Sequence, residues 1–386
     1  MATAVTAIPI GLGTTNGVNG AHMNGNHVNG HTKGAASLPP FPTDVPKAPL
    51  LRLSLAKLQA NDPDEINRLN RACEDLGFFY LDLRSPGTGQ NLLDDADRLF
   101  TVGEQLYELP LEEKQKYDFM HKNSYFGYKG YGANVVDRTG RTDRNEFYNV
   151  SKDDILGVSD PWPAPDVLNN QRPLLKNFMI NAHSIVSLVL EQLNNHLGLP
   201  PQTLQNLHRQ TSPSGDQVRF IKAPPQPMED RQITLGEHTD FGSVTILFNR
   251  LGGLQVLPPG RDAQWCYVQP LPGHAIVNLG DAMAKFTNGL LRSNIHRVVS
   301  PPGEQGDHTR YSLVYFARPE EGVLMKRLNG SEKIPELEPG ATEEDITAKD
   351  WIIRRALGHR HALNKEKAMD FESFQGTEKL SRREGK

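Results

Sequence analysis

Gly236-Glu237-His238-Thr239-Asp240 opens the segment that decides the fold of this chain, and the segment extends to Ser312. In a β-strand, side chains two residues apart lie on the same face. A strand here would aim His238 and Asp240 at one point and turn Thr239 away. One histidine and one carboxylate need a third ligand to hold a metal ion firmly. His296, within Ser293-Asn294-Ile295-His296-Arg297-Val298, is the candidate.

Arg310-Tyr311-Ser312 ends the segment and repeats the two-residue spacing. On a strand, Arg310 and Ser312 would offer a guanidinium and a hydroxyl to a carboxylate, and a guanidinium can bind a carboxylate through two parallel hydrogen bonds. Two histidines and one carboxylate on one side of a metal leave coordination positions open, as non-haem Fe(II) sites do. The segment therefore predicts a metal site at His238, Asp240 and His296 beside a carboxylate site at Arg310 and Ser312.

Length and composition limit what the protein can be. The chain has 386 residues, enough to bury a sizeable core in one large domain or two. The net charge of −4 and the sequence pI near 6.4 give no electrostatic argument for a nucleic-acid or anionic-membrane partner. No uninterrupted apolar run approaches the roughly 18 residues of a membrane span. Two cysteines, Cys73 and Cys266, are too few for a disulfide framework. We expect a cytoplasmic protein with a small-molecule substrate, no nucleic-acid or membrane partner, and an oligomeric state that the sequence leaves open.

Three regions surround the decisive segment. Residues 1–45 are rich in Gly, Asn and His and are predicted to be a disordered tail. Residues 46–210 are predicted to be a helical N-terminal region, with a first helix capped by Asp62 and a longest helix from about residue 173 to 197. Residues 321–386 are predicted to be a C-terminal helical extension and tail, and we expect residues 323–357 to help close a pocket.

Residues 211–320 have a different pattern, in which short apolar runs are separated by Pro and Gly turns. Many short strands about ten residues apart indicate an antiparallel sandwich or barrel, and the lack of regular strand–helix alternation argues against a doubly wound sheet. The candidate strands are residues 218–222, 243–248, 254–257, 265–268, 275–279, 295–299 and 311–317.

Aromatic side chains cluster outside the decisive segment, and aromatic loops often line small-molecule pockets. They predict a pocket for an aromatic or partly apolar small molecule, and a nearby arginine could favour an acidic or phenolic group. The candidate pocket residues are Tyr125, Phe126, Tyr128, Tyr131, Phe147, Tyr148, Phe316 and Arg318.

The ordered set His238-Thr239-Asp240, His296-Arg297-Val298 and Arg310-Tyr311-Ser312 resembles the Fe(II)/2-oxoglutarate-dependent dioxygenases of the isopenicillin N synthase-like superfamily. Further stretches extend the resemblance over roughly residues 48–357, among them 75–80, 109–114, 277–281 and 286–289. The resemblance implies a mainly β fold with a double-stranded β-helix (jelly roll) core and a helical N-terminal region packed against it.

The resemblance also implies a reaction. Fe(II) would be the cofactor, with 2-oxoglutarate as cosubstrate and O2 as oxidant, and succinate and CO2 would be released. The substrate would be a small molecule of secondary metabolism, oxidised by hydroxylation, desaturation, ring expansion or epoxidation. The chain departs from the family at Ala223, where many members carry a tyrosine that contacts the cosubstrate, and Lys222 or Arg219 could substitute for it.

Two alternative functions stay open at the level of sequence. The first is a related iron oxidase that has the same ligands and does not use 2-oxoglutarate, as isopenicillin N synthase does. The second is a non-catalytic small-molecule sensor on the same fold. Succinate release coupled to product formation separates the first alternative from the dioxygenase, and iron-dependent turnover separates the second.

Overall fold

The computed structural model describes residues 38–135 and 140–361. Most of the predicted tail and the end of the C-terminal extension therefore lie outside the described residues. The packed part of the chain begins before residue 46, which corrects the predicted boundary of the tail. The Pro39 carbonyl accepts a hydrogen bond of 2.8 Å from the Gln305 side chain, and the Phe41 ring packs edge-on against Tyr267.

Twelve β-strands and ten α-helices lie in the described part of the chain. The strands are β1 Leu51–Ser54, β2 Phe78–Asp82, β3 Gly127–Lys129, β4 Glu146–Ser151, β5 Gln217–Ala223, β6 Ile233–His238, β7 Val244–Asn249, β8 Leu254–Val256, β9 Cys266–Tyr267, β10 His274–Leu279, β11 His296–Val299 and β12 Arg310–Ala317. The helices are α1 Leu55–Gln59, α2 Pro63–Asp75, α3 Thr88–Glu108, α4 Leu111–Gln115, α5 Lys152–Leu156, α6 Asp166–Asn169, α7 Arg172–Leu197, α8 Thr203–Asn206, α9 Asp281–Phe286 and α10 Ala348–His361.

The helix boundaries follow local chemistry that the sequence shows. The Asp62 carboxylate accepts a hydrogen bond of 3.0 Å from the Glu65 backbone N–H, and Pro63 occupies the first turn of α2, where its missing N–H costs nothing. Gly198 ends α7 with φ of 67°, a left-handed conformation that glycine adopts without steric cost. These two predicted helices are confirmed.

Two sheets form the β part of the molecule. The larger has eight strands in the order β1-β2-β10-β7-β12-β5-β4-β3, and the smaller has four in the order β6-β11-β8-β9. All pairings are antiparallel except β1 with β2. Strands β10, β7, β12 and β5 with the smaller sheet make up the double-stranded β-helix that the sequence predicted. Strands from the N-terminal region extend both edges of the larger sheet.

Alternation along β12 shows which face of the larger sheet carries the site. Leu313, Tyr315 and Ala317 belong to the main hydrophobic core, together with residues of α3 and α7. The alternate residues, Arg310 and Ser312 among them, point between the two sheets and line a cavity there. The helices thus cover the outer face of the larger sheet, and the inner face remains for chemistry.

Helix α7 is the one helix in the described residues that is long and apolar enough to cross a membrane, although the sequence shows no uninterrupted apolar run of that length. More than half of its most apolar stretch is buried inside the protein. It packs against α3 and β12, as expected of the central helix of a folded core.

Candidate metal centre and active site

The first and third candidate ligands come from neighbouring strands of the smaller sheet. His238 is the last residue of β6 and His296 is the first of β11, and the two are direct partners in the antiparallel pair, with ring centroids 4.2 Å apart. Asp240 lies two residues beyond the end of β6, so the expectation of one strand carrying both residues is corrected. A hydrogen bond of 2.7 Å from the Asp281 backbone N–H to the Asp240 carbonyl holds this turn in place.

The three side chains converge on one point. Single ligand atoms of His238, Asp240 and His296 lie within 4.8 Å of one another. Oδ1 of Asp240 is 4.0 Å from Nε2 of His238 and 3.8 Å from Nε2 of His296. One metal ion can lie between three donors at these separations, and two imidazoles with one carboxylate form the donor set of non-haem Fe(II) sites.

Both imidazoles are held so that only one nitrogen faces this point. Nδ1 of His238 lies 2.8 Å from the Gly236 carbonyl, and Nδ1 of His296 lies 3.1 Å from the Asn294 carbonyl. A carbonyl oxygen can only accept, so each Nδ1 carries the proton and donates it. Each Nε2 then keeps its lone pair for a metal, the arrangement that orients ligating histidines generally.

The two carboxylate oxygens of Asp240 likewise have different roles. Its Oδ2 accepts hydrogen bonds of 2.8 Å from Thr245 Oγ1 and 2.7 Å from Asn278 Nδ2, which leaves Oδ1 facing the histidines. Burial by itself would raise the pKa of Asp240. The effects of His296 and His238 and the hydrogen bonds from Asn278 and Thr245 outweigh burial, and the net pKa lies below its ordinary value. The group is therefore an ionised ligand at neutral pH, and the residues present fit a ferrous ion.

Arg310, predicted from sequence to bind a carboxylate, is a buried cation. Its Nε donates to the Gly252 carbonyl at 2.7 Å and its Nη1 donates to Ser312 Oγ at 2.7 Å, while the residue is only 3% exposed. Burial lowers its pKa to about 10, so it stays protonated at neutral pH. Among the described residues no carboxylate lies within ion-pair distance of it. The geometry therefore leaves the guanidinium able to bind a carboxylate from a ligand.

The chain passes close to Arg310 at Gly253, where φ is 104°. A Cβ at this position would lie 2.6 Å from the Val299 carbonyl oxygen and 3.4 Å from Arg310 Nε. A side chain there would be strained, would collide with β11 at Val299 and would crowd the Arg310 guanidinium.

Two adjoining cavities lie between the sheets. The inner one is lined by the three candidate metal ligands together with Arg310 and Ser312, and the outer one opens from it with about 1120 Å³ of unfilled space, its mouth included. The residues that line both are Arg219, Ile221, Leu235, His238, Val298 and Arg310. A molecule bound in the outer cavity would lie beside the metal site, because the two cavities share these residues.

Three of the aromatic residues that the sequence singled out lie in these walls. Tyr125 and Phe147 line the outer cavity, and Phe316 lines the inner one. Ala223, where the resemblance led us to expect a tyrosine, also lines the outer cavity and is the direct strand partner of Arg310. A methyl group at that position leaves the space beside Arg310 open.

The other predicted pocket residues lie elsewhere, which corrects the expectation for them. Tyr128 and Tyr148 are strand partners whose side chains pack into the helical core, because alternation on β4 turns Tyr148 away from the face that carries Phe147. Phe126 lines a separate small cavity with Tyr148, and Tyr131 is 55% exposed.

Arg318 also lies outside the cavity walls, although its sequence position suggested otherwise. It is buried, its Nη1 contacts the Gly215 carbonyl, and its guanidinium lies 5.0 Å from the ring centroids of both Tyr125 and Phe241. The residue supports the aromatic wall from behind.

Sequence reasoning missed residues that act on the ligands. Asn278 and Thr245 orient Asp240, and a signal was present, because each is a polar residue on the inner face of a mostly apolar strand. Arg355 of α10 lines the outer cavity, donates to Asp281 Oδ2 at 2.7 Å and contacts the Thr239 carbonyl at 3.5 Å. Its helix was predicted, but nothing in the sequence indicates which face meets the metal loop.

Comparison with known proteins agrees with this geometry. Residues 214–319 match the family model of the 2OG-Fe(II) oxygenase superfamily, and residues 48–172 match the N-terminal region described as that of a non-haem dioxygenase in morphine synthesis. A 2-oxoglutarate-dependent dioxygenase of Aspergillus fumigatus is 37% identical over 335 residues, covering 81% of this chain and 86% of the relative. The 2-oxoglutarate-dependent dioxygenase gloE of Glarea lozoyensis is 31% identical over 319 residues, covering 82% and 90%.

A solved structure shares the fold. A full-length protein of Neurospora crassa, solved in complex with alpha-KG, has a TM-score of 0.67 at 24% identity and covers 80% of this chain and 95% of its own. At that identity the likeness shows the fold alone, and membership of the family rests on the family model and the fungal relatives. The chain belongs to the 2OG-Fe(II) oxygenase superfamily and is a non-haem Fe(II) and 2-oxoglutarate-dependent dioxygenase.

Proposed function

We propose that this dioxygenase holds Fe(II) on His238, Asp240 and His296, binds the far carboxylate of 2-oxoglutarate on Arg310 and Ser312, and oxidises a C–H bond of a small organic molecule in the adjoining cavity. The observation that carries the proposal is the orientation of the three ligands. Each presents one unprotonated donor atom to a common point while its other polar atom is engaged by the protein.

Bound Fe(II) with 2-oxoglutarate supplies the means to activate O2. For a hydroxylation, one substrate C–H, one 2-oxoglutarate and one O2 give the alcohol, succinate and CO2. The chain's own part is to place the reactants. Arg310 fixes one end of the cosubstrate, and Ser312 holds the guanidinium through its Oγ. The apolar walls of Phe147, Leu235 and Val298 exclude water from the side where the substrate would lie.

The substrate in this proposal is a small, partly aromatic or apolar metabolite, because most of the surface that the outer wall exposes to the cavity is apolar. A role in secondary metabolism follows the resemblance in sequence. The predicted cytoplasmic location and the absence of nucleic-acid and membrane partners stay predictions. Both cysteines, Cys73 and Cys266, are free thiols, as expected in a reducing compartment.

The test is a substrate panel scored by succinate release in the presence of Fe(II), 2-oxoglutarate and O2. We expect uncoupled succinate release without substrate, faster release with a true substrate, and loss of both in His296→Ala. His308→Ala is the matched control, because His308 lies outside the ligand set, and it should keep full turnover. Product formation without succinate would instead support an iron oxidase, and tight 2-oxoglutarate binding without any turnover would support a sensor.

A further inference from the structure

Arg219 occupies a position on β5 that the proposed reaction does not use. On this strand the residues of one face, Arg219, Ile221 and Ala223, line the outer cavity. Across the strand pair, Arg219 is opposite Val314, and Ala223 is opposite Arg310. Four residues of extended chain span about 13 Å, so the two arginines enter the cavities well apart from each other.

The Arg219 guanidinium is fixed but not neutralised. Its Nε donates to Asn149 Oδ1 at 2.7 Å, and its Cζ lies 4.2 Å from the ring centroid of Phe147 and 4.9 Å from that of Phe316. Asn149 is itself held, because its Nδ2 donates to the Tyr125 carbonyl at 2.5 Å. Among residues 38–135 and 140–361, no carboxylate lies within 4.0 Å of Arg219. The two rings lie against the guanidinium, and its two amino groups donate no hydrogen bond to the described residues, which leaves them to the cavity.

A cation in this position is costly without an anion. Burial, followed by the like charge of Arg318, lowers the pKa of Arg219 to about 9, so it is still protonated at neutral pH. Arg219 is half-buried in the cavity wall, so its guanidinium has lost part of its water and has no carboxylate among the described residues in exchange. The stacked rings offset part of that loss, and the in-plane hydrogen-bond positions remain for a carboxylate.

The cosubstrate does not account for this charge. 2-Oxoglutarate has two carboxylates, of which Arg310 takes the far one and the metal takes the other in the proposed function. Arg219 therefore faces the space left for the substrate. Its charge also interacts favourably with Asp240, so a group bound there lies within electrostatic range of the metal site.

The wall around Arg219 restricts the rest of the ligand. The apolar surface of the outer cavity is aromatic and aliphatic and includes Tyr125, Phe147, Phe241 and Leu235. A ligand that satisfies both features has one anionic group and an apolar body. A phosphate ester or sugar would leave the aromatic wall without a partner.

We propose that Arg219 is the substrate-binding residue that selects an organic acid with an apolar or aromatic body, by binding its carboxylate. The proposal rests on the proposed function for the identity of the neighbouring metal site. It makes Arg219 a determinant of specificity, while the oxidation itself belongs to the iron and cosubstrate.

The experiment measures binding in the full chain loaded with Fe(II) and 2-oxoglutarate under strictly anaerobic conditions, where no turnover occurs. The probes are benzoate, 3-phenylpropanoate, cinnamate, indole-3-carboxylate, cyclohexanecarboxylate and octanoate, each beside its primary amide. We expect at least one acid to bind at least tenfold more tightly than its own amide. In Arg219→Gln that acid should lose roughly 10- to 100-fold in affinity while its amide is unchanged.

Two further variants keep the outcome readable. Arg219→Lys retains the charge without the stacked fork and should keep part of the preference for the acid. Lys222→Gln is the matched control, because Lys222 lies on the same strand on the opposite face, 3.5 Å from Glu146, and it should behave as the wild type. Absence of any acid preference in the wild type, or its survival in Arg219→Gln, overturns the proposal.

The remaining outcomes separate this proposal from a cosubstrate-binding role of Arg219 and from failure of the proposed function. An increase of more than tenfold in the dissociation constant of 2-oxoglutarate in Arg219→Gln would make Arg219 a cosubstrate ligand and would also overturn it. We expect that constant to change less than threefold. If the wild type releases succinate in an iron-dependent way but shows no preference for acids over amides, only the present inference is refuted. No succinate release from the wild type, with acid preference intact, refutes the proposed function and leaves the anion site standing.

Discussion

Each candidate metal ligand in this protein has one polar atom engaged by the chain and one left for the metal. For the histidines the engaging groups are backbone carbonyls two residues earlier, Gly236 for His238 and Asn294 for His296. These bonds are local, so they form as soon as the backbone adopts its conformation. For Asp240 the engaging side chains come from other strands, and its orientation depends on the assembled sheet.

This difference predicts that iron affinity is sensitive to residues that never touch the metal. Asn278→Leu and Thr245→Val each remove a donor from Asp240 Oδ2 and free the carboxylate to rotate. We expect each to weaken Fe(II) binding about 10- to 100-fold in anaerobic titrations. Thr203→Val removes a hydroxyl that bonds the Pro200 carbonyl far from the site and should leave the affinity unchanged. Equal iron affinity in all three variants would show that the carboxylate needs no such support.

Arg310 gives a second prediction at this scale, based on its burial without a carboxylate partner among the described residues. Adding 2-oxoglutarate should raise the melting temperature of the wild type, by an amount that corresponds to about 2.7 kcal/mol at a hundredfold excess over the dissociation constant. Arg310→Met should melt no lower than the wild type in the absence of cosubstrate, because it removes a buried unpaired charge, and should lose the response to 2-oxoglutarate.

The control for Arg310 is Arg297→Met. Arg297 already has partners in the sheet, since its Nε donates to Gln255 at 2.8 Å and its guanidinium lies 4.2 Å from the ring centroid of Trp265. That variant should keep the full thermal response to 2-oxoglutarate. A response that persists in Arg310→Met would remove Arg310 from the cosubstrate site.

The sequence predicted His238, Asp240 and His296 as a metal site and Arg310 with Ser312 as a carboxylate site. Two-residue alternation on a strand applies to Arg310 and Ser312 of β12, whereas Asp240 lies in the turn after β6. The pocket aromatics could not be predicted in the same way. Phe147 and Tyr148 are adjacent and equally aromatic, and which of them faces the cavity depends on how β4 pairs with β5. That pairing joins segments about 70 residues apart, and no local pattern encodes its direction.

At the scale of elements, α10 is joined to the metal loop by a buried ion pair. Arg355 Nη1 lies 2.7 Å from Asp281 Oδ2, and the same oxygen accepts from Thr239 Oγ1 at 2.9 Å. Thr239 lies between two of the candidate ligands in sequence. Arg355 thus holds the turn that positions Asp240, and Arg355 and Ala356 are the two residues of the predicted segment 323–357 that line the outer cavity.

Adjacent arginines on α10 provide a matched test of this role. Arg355→Met leaves the Asp281 carboxylate buried without that cation, and we expect the free energy of unfolding to fall by roughly 3 to 5 kcal/mol. Arg354 pairs with Glu344 near the surface, and Arg354→Met should cost no more than about 1 kcal/mol. The amount of product formed per succinate released should fall in Arg355→Met at temperatures where the variant is folded. If Arg355→Met and Arg354→Met have equal effects on the free energy of unfolding and on product formed per succinate, Arg355 does not anchor the metal loop.

At the scale of the whole molecule, the helical region and the jelly roll share one sheet. Strand β2 from the N-terminal region pairs with β10, and β4 pairs with β5. The sequence predicted the two regions and the jelly roll through turns and strand spacing. It did not predict that strands from residues 51–82 and 127–151 would extend the larger sheet at both edges, because their partners are far away in the chain.

Asp216 is a point where these parts meet. It is 2% exposed and lies just before β5, and its Oδ2 accepts from the Tyr315 hydroxyl of β12 at 2.9 Å and lies 3.6 Å from Nδ1 of His183 in α7. Its Oδ1 accepts from the Arg318 backbone N–H at 2.8 Å, and its carbonyl accepts from the Lys152 backbone N–H at the start of α5. Asp216 thus connects α7 and β12 through its carboxylate and α5 through its backbone carbonyl.

This network makes the stability of the whole fold depend on pH. Burial alone would raise the pKa of Asp216, but the neighbouring His183, the charge of Lys152 and the Arg318 N–H lower it to about 2. Because the folded pKa lies below the unfolded value of 3.8, the ionised group stabilises the fold above about pH 4, and this contribution is lost as the pH falls towards 2. In urea titrations we expect Asp216→Asn to lower the free energy of unfolding by about 2 kcal/mol at pH 7 and by about half as much near pH 3. Asp262→Asn, at an exposed position, should change the free energy of unfolding at neither pH.

Since the two parts share a sheet and a core, helical circular dichroism and tryptophan fluorescence should report one coincident transition in every variant. If Asp216→Asn lowers the free energy of unfolding equally at pH 7 and pH 3, ionisation of the Asp216 carboxylate does not stabilise the fold.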